Sequence, residues 1–124
     1  MVSEANMYIL LEYSIEGAHF LPNVPAGHKC GALHGHSYAI RLEITGELGD
    51  DSGWIIDYAD VRAVFDPVIM ALDHQCLNKI AGLENPTCEN LVLYLRRTLP
   101  ELAGAQLSAI EIRETARAGA GWRA

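Results

Sequence analysis

The stretch Cys30-Gly31-Ala32-Leu33-His34-Gly35-His36-Ser37-Tyr38-Ala39-Ile40-Arg41-Leu42-Glu43-Ile44-Thr45 decides how the rest of the chain folds. Tyr38, Ile40, Leu42 and Ile44 alternate with Ser37, Ala39, Arg41, Glu43 and Thr45, the period of a half-buried strand. His34 and His36 share the parity of the apolar set. On a strand that reaches back to them, both rings face the covered side. Two residues of strand span about 6.7 Å, close enough for two imidazoles to reach one ion. Cys30 stands four residues before the first of them. Such a group is open to three readings: a metal site, a nucleophile beside one, or ordinary hydrogen-bonded side chains.

Upstream, Ile9, Leu11, Tyr13 and Ile15 alternate in the same way, and His19 has their parity. Antiparallel pairing of the two strands brings His19 beside the His-Gly-His turn. Three neutral imidazoles suit zinc, which takes nitrogen ligands at about 2.0–2.1 Å, and three protein ligands with an open fourth position is the catalytic pattern.

Composition narrows the partners. A chain of 124 residues, 50% apolar and 20% charged, is expected to form one domain over residues 1–124. Its net charge of −7 argues against nucleic acid or an anionic membrane as partner. No apolar run is long enough to span a bilayer, and Met1 opens no leader-like segment. Three cysteines without paired spacing make a disulfide framework unexpected and the reducing cytoplasm the expected compartment.

In chain order, the first strand is expected from about Met7 to Gly17, followed by a loop from Phe20 to Leu33 containing Pro22, Pro25, Gly27, His28 and Lys29. The second strand spans about His36 to Glu47, and Gly49-Asp50-Asp51-Ser52-Gly53 is a turn. Asp57 is the expected N-cap of a first helix, with Asp60 in its first turn and Val61, Val64, Phe65, Val68 and Leu72 at helical spacing. Pro67 should kink that helix or force a local irregularity. Asp73 and His74 follow its last apolar position. Thr87 caps a second helix, with Glu89 near its positive end, a stripe of Leu91, Tyr94, Leu95 and Leu99, and Pro100 as the stop. Strand period returns at Ile110 and Ile112, and a last short strand covers Ala120 to Arg123.

Glu114 has the parity of Ile110 and Ile112. An inward carboxylate without a partner is costly, so either the strand has frayed there or the acid is held for a ligand. Such an acid suits a planar guanidine-like edge, because it accepts two parallel hydrogen bonds. The aminopyrimidinone edge of a pterin or guanine has that shape. The pattern is α+β (ββααββ), four antiparallel strands with two helices on one face. Its two open sheet edges predict a closed homo-oligomer.

Ala18-His19, Cys30-x-x-x-His34-Gly35-His36, Gly53-Trp54-Ile55-Ile56-Asp57, Leu72-Asp73-His74, Asn85-Pro86-Thr87 with Glu89-Asn90, and Glu114-Thr115 occur in this order across nearly the whole chain. Together they resemble the 6-pyruvoyl-tetrahydropterin synthase family, and within it the 6-carboxy-tetrahydropterin synthases of queuosine biosynthesis. The resemblance implies the tunnelling fold, with subunit sheets joined into a barrel, commonly as a homohexamer of two trimers. It implies that His19, His34 and His36 bind zinc. Cys30, Asp73 and His74 are then the proton-transfer groups, which can meet across a subunit boundary. Glu114 anchors the pterin ring with Thr115 and Thr87, and Lys29 contacts phosphate. The implied substrate is 7,8-dihydroneopterin triphosphate, converted to 6-carboxy-tetrahydropterin with loss of triphosphate and acetaldehyde. Two alternatives remain: a synthase that stops at 6-pyruvoyl-tetrahydropterin, and a zinc-stabilised oligomeric binding module without turnover. Cys76 and Cys88 lie outside every motif and are expected to be non-catalytic. Gly17, where serine or alanine is common in that family, and the tail Gly121-Trp122-Arg123, where an aromatic of tyrosine type is expected, depart from the pattern.

Overall fold

The computed structural model describes residues 7–124. The first six residues of the expected domain, and with them the expectation about Met1, lie outside the described residues. Two long strands, β1 (Ile9–His19) and β2 (His34–Gly46), are followed by helix α1 (Tyr58–Met70), a two-residue strand β3 (Gln75–Cys76), helix α2 (Cys88–Thr98), and strands β4 (Ala105–Thr115) and β5 (Ala118–Arg123). The sheet order is β3-β1-β2-β4-β5.

The sheet therefore has five strands and is mixed, where four antiparallel strands were expected. β3 runs parallel to β1, with Gln75 opposite Gly17 and Cys76 opposite Ala18. Two residues carry no period, so nothing in the sequence pattern marks this strand. Its entry is a backbone turn at His74, whose φ of 58° is left-handed and whose N–H donates to the Glu16 carbonyl at 2.6 Å. β1 and β2 each extend two residues further toward the histidines than expected, to His19 and from His34. β5 also begins two residues early, at Ala118.

The alternation fills one face of the sheet. Leu11 and Ile15 of β1, Tyr38, Ile40, Leu42 and Ile44 of β2, and Ile110 and Ile112 of β4 form one buried cluster with Val61, Phe65 and Ile69 of α1 and Leu91, Val92 and Leu95 of α2. Burying each such large side chain contributes roughly 1.5–3 kcal/mol. Both helices thus cover the same face. α1 continues through Pro67, which lies on its exposed side. The carbonyl that proline deprives of a donor belongs to Ala63, also exposed, so the lost bond leaves no buried acceptor unpaired. No helix among the described residues is long and apolar enough to cross a membrane.

Both expected caps form. Asp57 accepts from the Ala59 N–H at 2.9 Å, and Thr87 Oγ1 accepts from the Asn90 N–H at 3.1 Å. Thr87→Ala is expected to lower stability by about 1 kcal/mol. Urea denaturation with an unchanged m-value would show it, and an unchanged midpoint would mean that the cap contributes nothing.

Candidate active site

β1 and β2 pair in a register that sets His19 opposite His34 and Gly17 opposite His36. The two-residue period then turns all three imidazoles to one face. Ring centroids stand 4.6 Å apart for His19–His34, 5.0 Å for His19–His36 and 4.8 Å for His34–His36. One ring nitrogen from each lies within 4.8 Å of the others, and these three residues form the candidate ligand cluster among the described residues. The Cys30 sulfur is not a member of it.

Backbone carbonyls decide which nitrogens are free. His19 is 2% exposed, and its Nδ1–H donates to the Pro86 carbonyl at 2.7 Å. His34 Nδ1–H donates to the Ala32 carbonyl, also at 2.7 Å. A carbonyl only accepts, so each Nδ1 carries the proton and each Nε2 keeps its lone pair. Tying the outer nitrogen of a ligand histidine in this way orients the ring and raises its basicity. Burial lowers the His36 pKa below its ordinary 6.5; the Glu114 charge opposes this, while His19 and His34 add to it. Three imidazole nitrogens converging on one point fit a metal ion that takes nitrogen ligands.

Two further contacts hold the cluster in place. Just after His19, the Phe20 N–H donates to Asn78 Oδ1 at 3.0 Å, and Asn78 Nδ2 donates back to the Phe20 carbonyl at 2.8 Å. Asn78 belongs to none of the sequence motifs, and an amide side chain brings no ligand chemistry that would mark it. Tyr38, which periodicity assigns to the core, packs edge-on against His19 and His36. Its phenol is pushed well above the usual range, first by burial and then by the Glu114 carboxylate.

The remaining expected site residues lie on other segments of the chain. Lys29 and Cys30 lie on one 3-10 turn, Lys29–Gly31, inside the expected loop. The His28 ring accepts from the Cys30 N–H at 3.0 Å, and the Cys30 carbonyl accepts from the Leu21 N–H at 2.8 Å. Cys30 is half-buried and Lys29 exposed. Asp73 and His74 sit at the edge of β1. Asp73 accepts from the Glu16 N–H at 2.8 Å and from His74 Nδ1–H at 3.0 Å. The Glu16 N–H, followed by His74, holds the Asp73 carboxyl below its ordinary value. His74, with its side chain 76% exposed, shares an open cleft of about 460 Å³ with His36, Ser37 and Cys76.

Glu114 lies within β4, so the strand has not frayed before it. It is the extra residue of a bulge: Arg113 pairs with Gly119 and Thr115 with Ala118, which leaves Glu114 without a partner on β5. Bulges re-aim side chains, and they are common beside active sites. β2 and β4 pair Ala39 with Arg113, so one step further along the ladder Glu114 faces Tyr38, whose ring packs against His36. Thr87 spends an acceptor position on its cap, and Thr115 Oγ1 accepts from the Arg117 N–H at 3.1 Å. Cys88 is buried with its thiol donating to the Ile112 carbonyl at 3.3 Å, and burial pushes its pKa up to about 11. A second cleft of about 410 Å³, lined by Arg41, Glu43, Glu111, Arg113 and Trp122 among others, contains none of the expected site residues.

Residues 8–124 match the family described as 6-pyruvoyl tetrahydropterin synthase. The 6-carboxy-5,6,7,8-tetrahydropterin synthase of Synechocystis sp. is 34% identical over 117 residues, covering 90% of this chain and 89% of that protein. The dihydroneopterin monophosphate aldolase of Pyrococcus furiosus is 38% identical over 72 residues, 55% of this chain and 60% of that protein. In three dimensions the chain is similar to the 6-pyruvoyl tetrahydropterin synthase of Caenorhabditis elegans, with a TM-score of 0.82, 22% identity and 95% of each chain covered.

Proposed function

We propose, from the premise that this chain belongs to the 6-pyruvoyl tetrahydropterin synthase family, that it is a zinc-dependent lyase. In this reading it converts 7,8-dihydroneopterin triphosphate and one water to 6-carboxy-5,6,7,8-tetrahydropterin, releasing acetaldehyde and triphosphate. The observation that carries the reading is the trio of converging imidazoles in a chain that resembles a named 6-carboxy synthase over nine-tenths of its length.

His19, His34 and His36 hold the metal, and zinc bound there supplies a Lewis acid beside the hydroxyls of the substrate side chain. Glu114 accepts two parallel N–H bonds from the aminopyrimidinone edge and so sets the ring's orientation. Thr87 and Thr115 add hydroxyls near that edge, and Lys29 offers a cation to the phosphates. Cys30 takes the proton from the side-chain carbon next to the ring. Asp73, already bonded to His74 Nδ1–H, leaves the other ring nitrogen free to return or relay a proton. Triphosphate departs with the electrons of its C–O bond, and the redox change stays within the substrate, so no nicotinamide takes part. Water then adds to the side-chain carbonyl next to the ring, and the C–C bond to the terminal two carbons breaks, leaving a carboxylate on the ring and releasing acetaldehyde. A cytoplasmic location, a homohexamer of two trimers that joins the sheets at their β3 and β5 edges, and a place in queuosine and 7-deazapurine biosynthesis belong to the same proposal.

Mass spectrometry of the products from dihydroneopterin triphosphate and the zinc-loaded protein tests this. Acetaldehyde with a carboxylated pterin is the expected result. A dicarbonyl side chain would assign the chain to the 6-pyruvoyl branch instead. A hydroxymethyl pterin would point to retro-aldol cleavage, the second reading that the local likeness to the aldolase favours. No product at all would leave only a binding module.

A further inference from the structure

Tyr38 is 1% exposed, and its hydroxyl has no hydrogen-bond partner among the described residues. A buried donor without an acceptor is costly, and phenylalanine at this place avoids that cost. The fold therefore makes no use of the oxygen it encloses. The ring is not deep in the core but at its border with the imidazoles, 6.0 Å from His19 and 5.6 Å from His36 between centroids. Its seat depends on Gly17, since a Cβ there would stand 3.1 Å from Tyr38 Cε2. Even alanine would push the ring aside by a few tenths of an ångström. The departure from serine or alanine at position 17 thus has a physical counterpart in the placement of this ring.

The acid nearest to Tyr38 in the sheet is Glu114: β2 and β4 pair Ile40 with Ile112 and Ala39 with Arg113, so one step further along the ladder Tyr38 faces Glu114. As the extra residue of the β4 bulge, it has no partner on β5 to hold it. A carboxylate offers about four acceptor positions on its two oxygens. It can take two bonds from a guanidine-like edge and a third from a phenol. Filling the site with a flat heterocycle removes water from the carboxylate, and each remaining bond then counts for more.

We propose that Tyr38 is a positioning residue for Glu114, its unpartnered hydroxyl donating to the carboxylate when a pterin ring occupies the site. This rests on the assignment of Glu114 to the pterin edge made above. The hydroxyl orients the acid and the acid binds the ring, so Tyr38 acts on ligand affinity through Glu114 and not on the stability of the empty protein.

The test is a fluorescence titration of the zinc-loaded protein with pterin-6-carboxylate, which has the recognised edge but no reacting side chain. Tyr38→Phe is expected to bind about 10-fold more weakly than wild type, the scale of one hydrogen bond to a charged group. Its zinc content and its ligand-free melting temperature should match or exceed those of wild type. In a Glu114→Ala background, where binding is already weakened, Tyr38→Phe should cause no further loss, because the acceptor is gone. Binding by Tyr38→Phe equal to wild type, alongside weakened binding by Glu114→Ala, overturns the role of Tyr38 and leaves Glu114 in the pocket. Equal additional loss in both backgrounds also overturns it, because the hydroxyl then acts elsewhere. A fall of several degrees in the ligand-free melting temperature of Tyr38→Phe assigns the hydroxyl to the fold and overturns the proposal too. If Glu114→Ala binds as wild type, or wild type does not bind, the assignment of Glu114 fails and the proposal fails with it.

Discussion

Replacing Cys30 with alanine is expected to lower turnover by about 10²–10⁴-fold, the usual contribution of a positioned base, while zinc content stays at the wild-type level. The two halves of that expectation have separate grounds. Cys30 lies outside the cluster of three imidazoles, so removing its sulfur takes no member from that cluster. The turn that carries it is held by backbone groups: the Cys30 N–H bonds to His28, and the Cys30 carbonyl accepts from the Leu21 N–H. Neither bond needs the thiol, so alanine should leave the turn in place. Product formation under single-turnover conditions and metal analysis of the same preparation read the two effects apart. Loss of zinc in Cys30→Ala would make the thiol a ligand and close the coordination corner that substrate needs. Unchanged turnover would pass the role of base to another group.

His36→Ala is expected to weaken zinc binding by more than the roughly 10–100-fold typical of an outer-shell change, because it removes a donor outright. His36 is the cleaner choice for this experiment. Truncating His19, 2% exposed, would also strip the Pro86 carbonyl of its partner and leave a cavity. Zinc per protein after dialysis gives the direct measure. The shift in melting temperature on chelation gives the second. Ligand binding to the folded state alone stabilises by about 2.7 kcal/mol at a hundredfold excess over Kd, so wild type should lose several degrees on chelation and His36→Ala almost none. Full zinc occupancy in His36→Ala would show that the three rings converge without a shared ion.

Much of the centre is legible in the order of residues alone, because the relevant physics is short-range. Parity puts His19, His34 and His36 on the covered face, and antiparallel pairing brings the first beside the other two. Asp57 and Thr87 announce their helices because a cap bonds to backbone two or three residues away. Glu114 stands out because an acid on an apolar parity needs an explanation. The failures have an equally plain origin. β3 is too short to have a period. The Glu114 bulge is invisible until the β5 partner is known, since an extra residue is extra only relative to an opposing strand. Tyr38 looks like core by spacing, and it is core by burial; only the absence of an acceptor sets it apart.

Local chemistry along the chain settles the two long strands, the two helices, their caps and the face to which each histidine turns. Those features follow from side-chain period and from bonds that span a few residues. Contacts between distant segments settle the rest. The Pro86 carbonyl that selects the His19 tautomer is 67 residues away in sequence, and the Asn78 clamp on Phe20 spans 58. Asp73 reaches Glu16 across 57. No spacing rule encodes such pairs, because they exist only once helices and sheet have packed. Three imidazoles on one face can be read from alternation, but the free nitrogen of His19 depends on a carbonyl supplied by the far side of the fold.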